Sequence, residues 1–169
     1  DYQKQRVKTF LDPNTDPLGA GYNVIQSKIA IGSGGFAGKG LLQGSQGQLD
    51  FLPEKQTDFI FTMLAEELGF FGSLVLLGLY AALIAFALRL TMTARSLYGR
   101  LLAGGVAAML FIHIFINMAM VMGMIPVVGV PLPFLSYGGS FLIAALMACG
   151  LLQHVYIHRE TNLSRGGGL

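Results

Sequence analysis

Charged residues all but disappear from the chain after Glu67. None occurs from Leu68 to Leu88, and at about 1.5 Å per residue a helix of that length covers the roughly 30 Å of hydrocarbon in a bilayer. A second uncharged stretch, Leu101 to Ile125, is interrupted only by polar His113 and Asn117. A third runs from Ile125 to Ile157, but Pro126, Pro131, Pro133 and the string Ser136-Tyr137-Gly138-Gly139-Ser140 crowd its first half. Proline and glycine at that density predict an irregular entry and a regular helix only from about Ser140. The pattern therefore predicts an all-α integral membrane protein with spans at 59–88, 101–125 and 140–157. A connector at 89–100, a Pro/Gly-rich loop at 126–139 and a tail at 158–169 complete that half of the chain.

Short loops rich in Lys and Arg stay on the cytoplasmic side of a membrane. The connector holds Arg89, Arg95 and Arg100 and no acid, so it is expected in the cytoplasm, together with the tail. Three spans then leave residues 1–58 and the 126–139 loop outside. In residues 1–58 six bases balance six acids, so this long segment adds nothing to the orientation.

That outer segment is expected to be a structured loop with short helices. Asp12-Pro13-Asn14 and Asp16-Pro17-Leu18-Gly19 are turn signals. Tyr22, Ile25 and Ile29 recur with a helical rhythm between Tyr22 and Ile31, as in a short helix on a membrane surface. Gly32 to Gly47 holds seven glycines, which predicts a tightly turning loop using positive φ angles. Gly32-Ser33-Gly34-Gly35-Phe36-Ala37 also fits the alanine-ended dinucleotide fingerprint, but that motif must follow a strand and open a helix. A cradle of backbone amides for a lipid pyrophosphate, beside Lys28 and Lys39, is the functional alternative to a plain loop.

Composition sets the solvent and removes several function classes. Apolar residues make up 53% of the chain and charged residues 12%, with a mean hydropathy of +0.61, far from an average soluble domain. A net charge of +2 with scattered bases excludes a nucleic-acid surface. Cys149 is the only cysteine, so neither a disulfide framework nor a cysteine metal site can form within the chain. The polar start at Asp1 lacks the charged-then-apolar plan of a signal peptide and reads as a truncated beginning; Ser164 to Leu169 reads as a disordered end.

Polar side chains gather just ahead of the first span, from Gln48 to Phe61, with Asp50, Glu54 and Asp58 around a single Lys55. Helix capping would account for Asp50 or Asp58, with Pro53 at a first helical position. Glu66 and Glu67 follow, where a carboxylate facing lipid already costs a few kcal/mol, so at least one should face protein or a watery cavity. Eight residues of helix bring Asp58 and Glu66 loosely to one side. His113 and Asn117, one turn apart, read as structural bonds between helices, and His154 with His158 as an interfacial helix end lacking a third metal ligand.

Taken together, several strings resemble the SEDS proteins (shape, elongation, division and sporulation). They are Asp16-Pro17-Leu18-Gly19-Ala20-Gly21-Tyr22, Gln26-Ser27-Lys28-Ile29-Ala30-Ile31-Gly32-Ser33-Gly34-Gly35, Phe51-Leu52-Pro53-Glu54, Thr57-Asp58-Phe59-Ile60-Phe61, Ala65-Glu66-Glu67-Leu68-Gly69, Pro131-Leu132-Pro133 and Ser136-Tyr137-Gly138-Gly139-Ser140. The resemblance covers about Asp1 to Glu160, and the first two strings look like the elongation branch, RodA. It implies the last three spans and the large loop of a roughly ten-span bundle. Lys55-Gln56 departs from the Arg-His or similar pair common there.

The implied activity is peptidoglycan glycosyl transfer: lipid II units are joined into glycan strands in the bacterial inner membrane, on its outer face, during elongation of the wall. A class B penicillin-binding protein and the elongation machinery would be partners. The family's catalytic aspartate falls on Asp58, with Asp50, Glu54 and Glu66 as supporting acids. Lys28, Lys39, Arg6, Gln26, Ser27, Ser136, Tyr137 and Ser140 would bind pyrophosphate or sugar, with or without Mg or Mn as a divalent cation. An α-linked donor and a β-linked product need one displacement, hence one base. Two other classes stay open: a precursor flippase using broken helices and intramembrane polar groups, and a scaffold that only activates a penicillin-binding protein.

Overall fold

The computed structural model describes residues 20–40, 43–44 and 57–159. Within them the regular elements are all helices: α1 Ala20–Gly34, α2 Ile60–Thr93, α3 Leu97–Val121 and α4 Gly139–Ile157. The last three are long and apolar enough to cross a membrane. As expected, the architecture is that of an all-α membrane protein, and the outward faces of the helices carry exposed leucines, phenylalanines and methionines that suit lipid or further helices.

The helix ends differ from those the charges suggest. α2 continues past Leu88 and Arg89 to Thr93, and α3 starts at Leu97, so most of the 89–100 connector is helical. Arginine is a good helix former, and a charge that marks the edge of hydrocarbon does not stop a helix. The break comes at Ala94 and Ser96, both extended. At its other end α3 stops four residues before Ile125. Gly123 has φ 69°, its N–H donates to the Met120 carbonyl, and the Met124 N–H reaches the Ala119 carbonyl, closing a Schellman turn ahead of Pro126.

α2 is two arms. Gly69 has φ 66° and ψ −158° inside it, which no helix accommodates. The Ser136 hydroxyl donates to the Thr57 carbonyl at 2.6 Å, and the Tyr80 hydroxyl donates to the Pro133 carbonyl at 2.6 Å. Pro133 and Ser136 are at most about 11 Å apart along the chain, whereas a straight helix would hold Thr57 and Tyr80 about 35 Å apart. The short arm before Gly69 therefore turns back toward the middle of the long arm. The span proper is 70–93, about 36 Å of helix, rather than one continuous 59–88 segment.

Backbone groups opened at Gly69 are taken up by the glycine segment. The Phe70 and Phe71 N–H groups donate to the Gly35 and Phe36 carbonyls (2.9 and 3.2 Å), and the Glu66 and Glu67 carbonyls accept from the Lys39 and Gly40 N–H groups (3.1 and 3.0 Å). Gly35, Gly38 and Gly40 all have positive φ, as the glycine content predicts, although α1 itself runs on through Gly34. At Gly34, Gly38 and Gly69 a Cβ would collide with the facing backbone. α1 meets α2 at Gly34, against the Ala65 backbone, and the small residues Ser27 and Ala30 of the same helix are also buried, while Ile25 and Ile29 stay exposed. The isoleucine rhythm marks the outer side of this helix, and the small residues mark the side where backbones approach. Gly32 to Gly34 close a helix and follow no strand, which removes the dinucleotide reading.

Candidate active site

Asp58 lies in the turn Thr57–Phe59 that begins the short arm, folded inward among the helices. Two buried side chains, Asn117 and Ser136, fix this turn. Asn117, fully buried on α3, donates through Nδ2 to the carbonyls of Asp58 (2.9 Å) and Val130 (2.7 Å). Ser136, also buried, donates to Thr57 and accepts the Leu132 N–H at 2.6 Å. The backbone of Asp58 is thus tied to α3 and to the 122–138 loop, while its half-buried carboxylate approaches Gly129, at φ 78°. A side chain at position 129 would crowd the Asp58 Oδ2.

The N-cap of α2 is Phe59, whose own side chain makes no capping bond, so Asp58 does not hold that position. The Met120 Sδ accepts the N–H groups of Val128 and Gly129 at 3.3 and 3.4 Å, holding the loop against α3. Two polar atoms in this region, Thr62 Oγ1 and Asn117 Oδ1, are buried without a hydrogen-bond partner among the described residues. Thr62 follows Asp58 by four residues on the short arm, so polar groups line that arm from its start toward Glu66.

Glu66 is fully buried, and Lys39 bonds its Oε1 at 2.7 Å. The pair sits on the backbone exchange at Gly69. Glu66 is therefore satisfied by protein, as its depth in the apolar run requires, and Lys39 is committed to it. Lys28 is exposed on α1 and lays its ammonium beside Gly123 at the C-terminal end of α3. Gln26 is half-buried on the same helix, and Ser27 turns its hydroxyl to the Asn23 carbonyl at 2.7 Å. Tyr137 and Ser140 are exposed at the start of α4. Arg6, Asp50 and Glu54 lie outside the described residues. The structure thus brings Asp58 together with Ser136, and Lys39 with Glu66.

Asn117 and Gly129 are the site residues that sequence reasoning passed over. Asn117 was legible as a buried bond-maker, not as the group that positions Asp58. His113, its helical neighbour, bonds the Met109 carbonyl at 2.8 Å and lies against Phe141 instead. His154 and His158 stack at 4.3 Å on exposed helix, and no group of three metal-ligating side chains occurs among the described residues. An apolar groove of about 520 Å³ between α2 and α3 offers no polar group to a sugar.

Comparison with known proteins gives these residues a context. The FTSW_RODA_SPOVE family model, described as a cell cycle protein, matches residues 1–161. The "Peptidoglycan glycosyltransferase MrdB" of Escherichia coli (strain K12) is 56% identical over 160 residues, 95% of this chain and 43% of that protein. The "Peptidoglycan glycosyltransferase RodA" of Treponema pallidum (strain Nichols) is 47% identical over 154 residues, 91% of this chain and 36% of that protein. A solved structure described as "Structural coordination of polymerization and crosslinking by a peptidoglycan synthase complex" superposes with a TM-score of 0.76 at 36% identity, covering 96% of this chain and 44% of that one. The chain spans less than half the length of the proteins it matches.

Proposed function

The chain belongs to the FTSW_RODA_SPOVE family of cell cycle proteins, and on that premise we propose that it is part of a peptidoglycan glycosyltransferase that polymerises lipid II, with Asp58 as the general base. The observation that carries the reading is the support of Asp58. Its backbone is fixed from two sides by Asn117 and the 122–138 loop, and Phe59, not Asp58, occupies the cap position. A base must be held at one place to be within reach of the proton it takes, and that rigidity is what the bonds supply.

In the proposed step a sugar hydroxyl of the acceptor attacks the anomeric carbon of the donor. The C–O bond forms as the bond to pyrophosphate breaks, the anomeric configuration inverts, and the hydroxyl proton passes to Asp58. The leaving pyrophosphate takes the electron pair and needs positive charge near it. Lys28, exposed at the outer end of α3, is the better of the two lysines for this, because Lys39 already holds Glu66. A divalent cation bound with the diphosphate would share that charge. The remaining spans of the longer protein would complete the pocket, and a class B penicillin-binding protein would crosslink the product. The site then opens to the outer face of the inner membrane.

The test is polymer formation from lipid II by the full-length protein with its partner. Asp58→Asn keeps the side-chain shape and removes the base, so turnover should fall about 10²- to 10⁴-fold with insertion and partner binding retained. Wild-type polymerisation by this variant would end the assignment. A scaffold would keep its function in the variant, and a flippase would not polymerise precursor already supplied on the outer side.

A further inference from the structure

Glycosyl transfer makes no use of the opposite end of the bundle, where the end of α2, the start of α3 and the end of α4 meet. The Arg95 N–H donates to the Arg159 carbonyl at 3.0 Å, and Arg100 Nε donates to the Thr91 carbonyl at 3.1 Å. Between α3 and α4 a recess of about 160 Å³ is lined by Ser96, Tyr98, Gly99, His154, His158 and Arg159, among others. Arg89, Arg95, Arg100 and Arg159 are all exposed here, whereas the described carboxylates, Asp58, Glu66 and Glu67, lie on the short arm of α2. Glu160 and Arg165 follow in the sequence, outside the described residues, and offset one another.

Around these charges the surface is apolar. Met92, Leu97, Tyr98, Leu101 and Ile157 are all exposed, and Tyr156 tilts beneath the Arg159 guanidinium, 4.9 Å from its ring centre. Water would be a poor solvent for that rim, and hydrocarbon a poor one for four guanidinium groups. Tyrosine rings belong at the level where the two meet. A ligand that suits both must carry an anionic phosphate and an acyl chain on one molecule.

We propose that this recess binds the headgroup of an anionic phospholipid. Arg159 meets the phosphate diester with its planar fork, His154 and His158 flank it, Arg95 adds charge from the adjoining turn, and the chains run along the exposed apolar residues below. The start of α3 helps, because Ser96 makes no side-chain cap there and leaves the first N–H groups with their partial positive charge.

The test uses the full-length protein in phosphatidylcholine vesicles, doped with spin-labelled phosphatidylglycerol or spin-labelled phosphatidylcholine. The protein should immobilise phosphatidylglycerol in preference. Arg159→Gln with Arg95→Gln should weaken that preference about fivefold for each arginine removed, and Arg159→Lys, which keeps the charge but not the planar fork, should weaken it less than Arg159→Gln does. The single variants carry the test should the double variant fail to fold. Equal retention of the two lipids, or a preference that survives the double substitution in folded protein, overturns the proposal. So does loss of the preference on adding inorganic phosphate, which would make the ligand a free anion.

Discussion

At the scale of single residues, Lys39 and Glu66 show how a charge is kept in an apolar helix. Glu66 has no exposure, whereas Lys39 is 30% exposed and reaches it from a glycine turn rather than from a neighbouring span. Removing only the lysine takes the counter-charge from a buried carboxylate, and breaking such a pair typically costs about 3–5 kcal/mol; the other contacts of Glu66 and the partial exposure of Lys39 put Lys39→Met near the lower end. The double variant Lys39→Met with Glu66→Gln removes the carboxylate charge as well and should recover part of the loss. Thermal unfolding of the full-length protein in detergent checks this. A double variant no more stable than Lys39→Met would mean that the pair is not coupled. Two adjacent acids inside an uncharged run signalled a buried partner in the sequence, but the partner's number did not follow, because the contact is made by a loop 27 residues away.

Among the elements, the long helices were legible and the fold-back was not. The spans are read from length and from the absence of charge, and neither quantity registers a reversal of direction. The sequence does carry a trace of it: Gly69 ends Ala65-Glu66-Glu67-Leu68-Gly69, where two carboxylates need partners and a glycine permits φ 66°. Gly69→Ala should therefore be severe. At φ 66° and ψ −158° the backbone sits in a region that only glycine enters readily, which costs another residue on the order of 1–3 kcal/mol, and the new Cβ meets the Gly38 backbone as well. Gly78→Ala, in the same helix with open space around it, should be neutral or mildly stabilising. Comparing the melting temperatures of the two variants checks the contrast, and equal effects would remove the special role of Gly69. Asn117 belongs to this scale too. Its helical position was legible, but its bonds to Asp58 and Val130 depend on two loops whose paths no periodicity describes.

For the whole molecule, the orientation rests on the arginines at the 89–100 turn, and it decides whether Asp58 can meet a substrate on the outer face. With Cys149 replaced by serine, a cysteine at Gln43 should react with an impermeant thiol reagent in intact cells, and one at Ser96 should be protected. The reverse pattern would put the proposed site on the wrong side. The chain covers 43% of its Escherichia coli relative, and its outward faces are apolar nearly all round. Residues 1–169 alone should therefore show no polymerisation of lipid II; turnover by the purified chain would mean that the remaining spans are not needed for the pocket.

The exchange of backbone bonds at Gly69 also bears on the order in which the protein is made. Residues 35–40 leave the ribosome about thirty residues ahead of Phe70 and Phe71, so the carbonyls that will receive those amides already exist when the span reaches the membrane. Had the order been reversed, the span would enter lipid with open N–H and C=O groups, each costing several kcal/mol until its partner was translated. Biosynthesis from the amino end thus supplies the mould before the cast, and the direction of translation becomes part of how this helix can be broken safely.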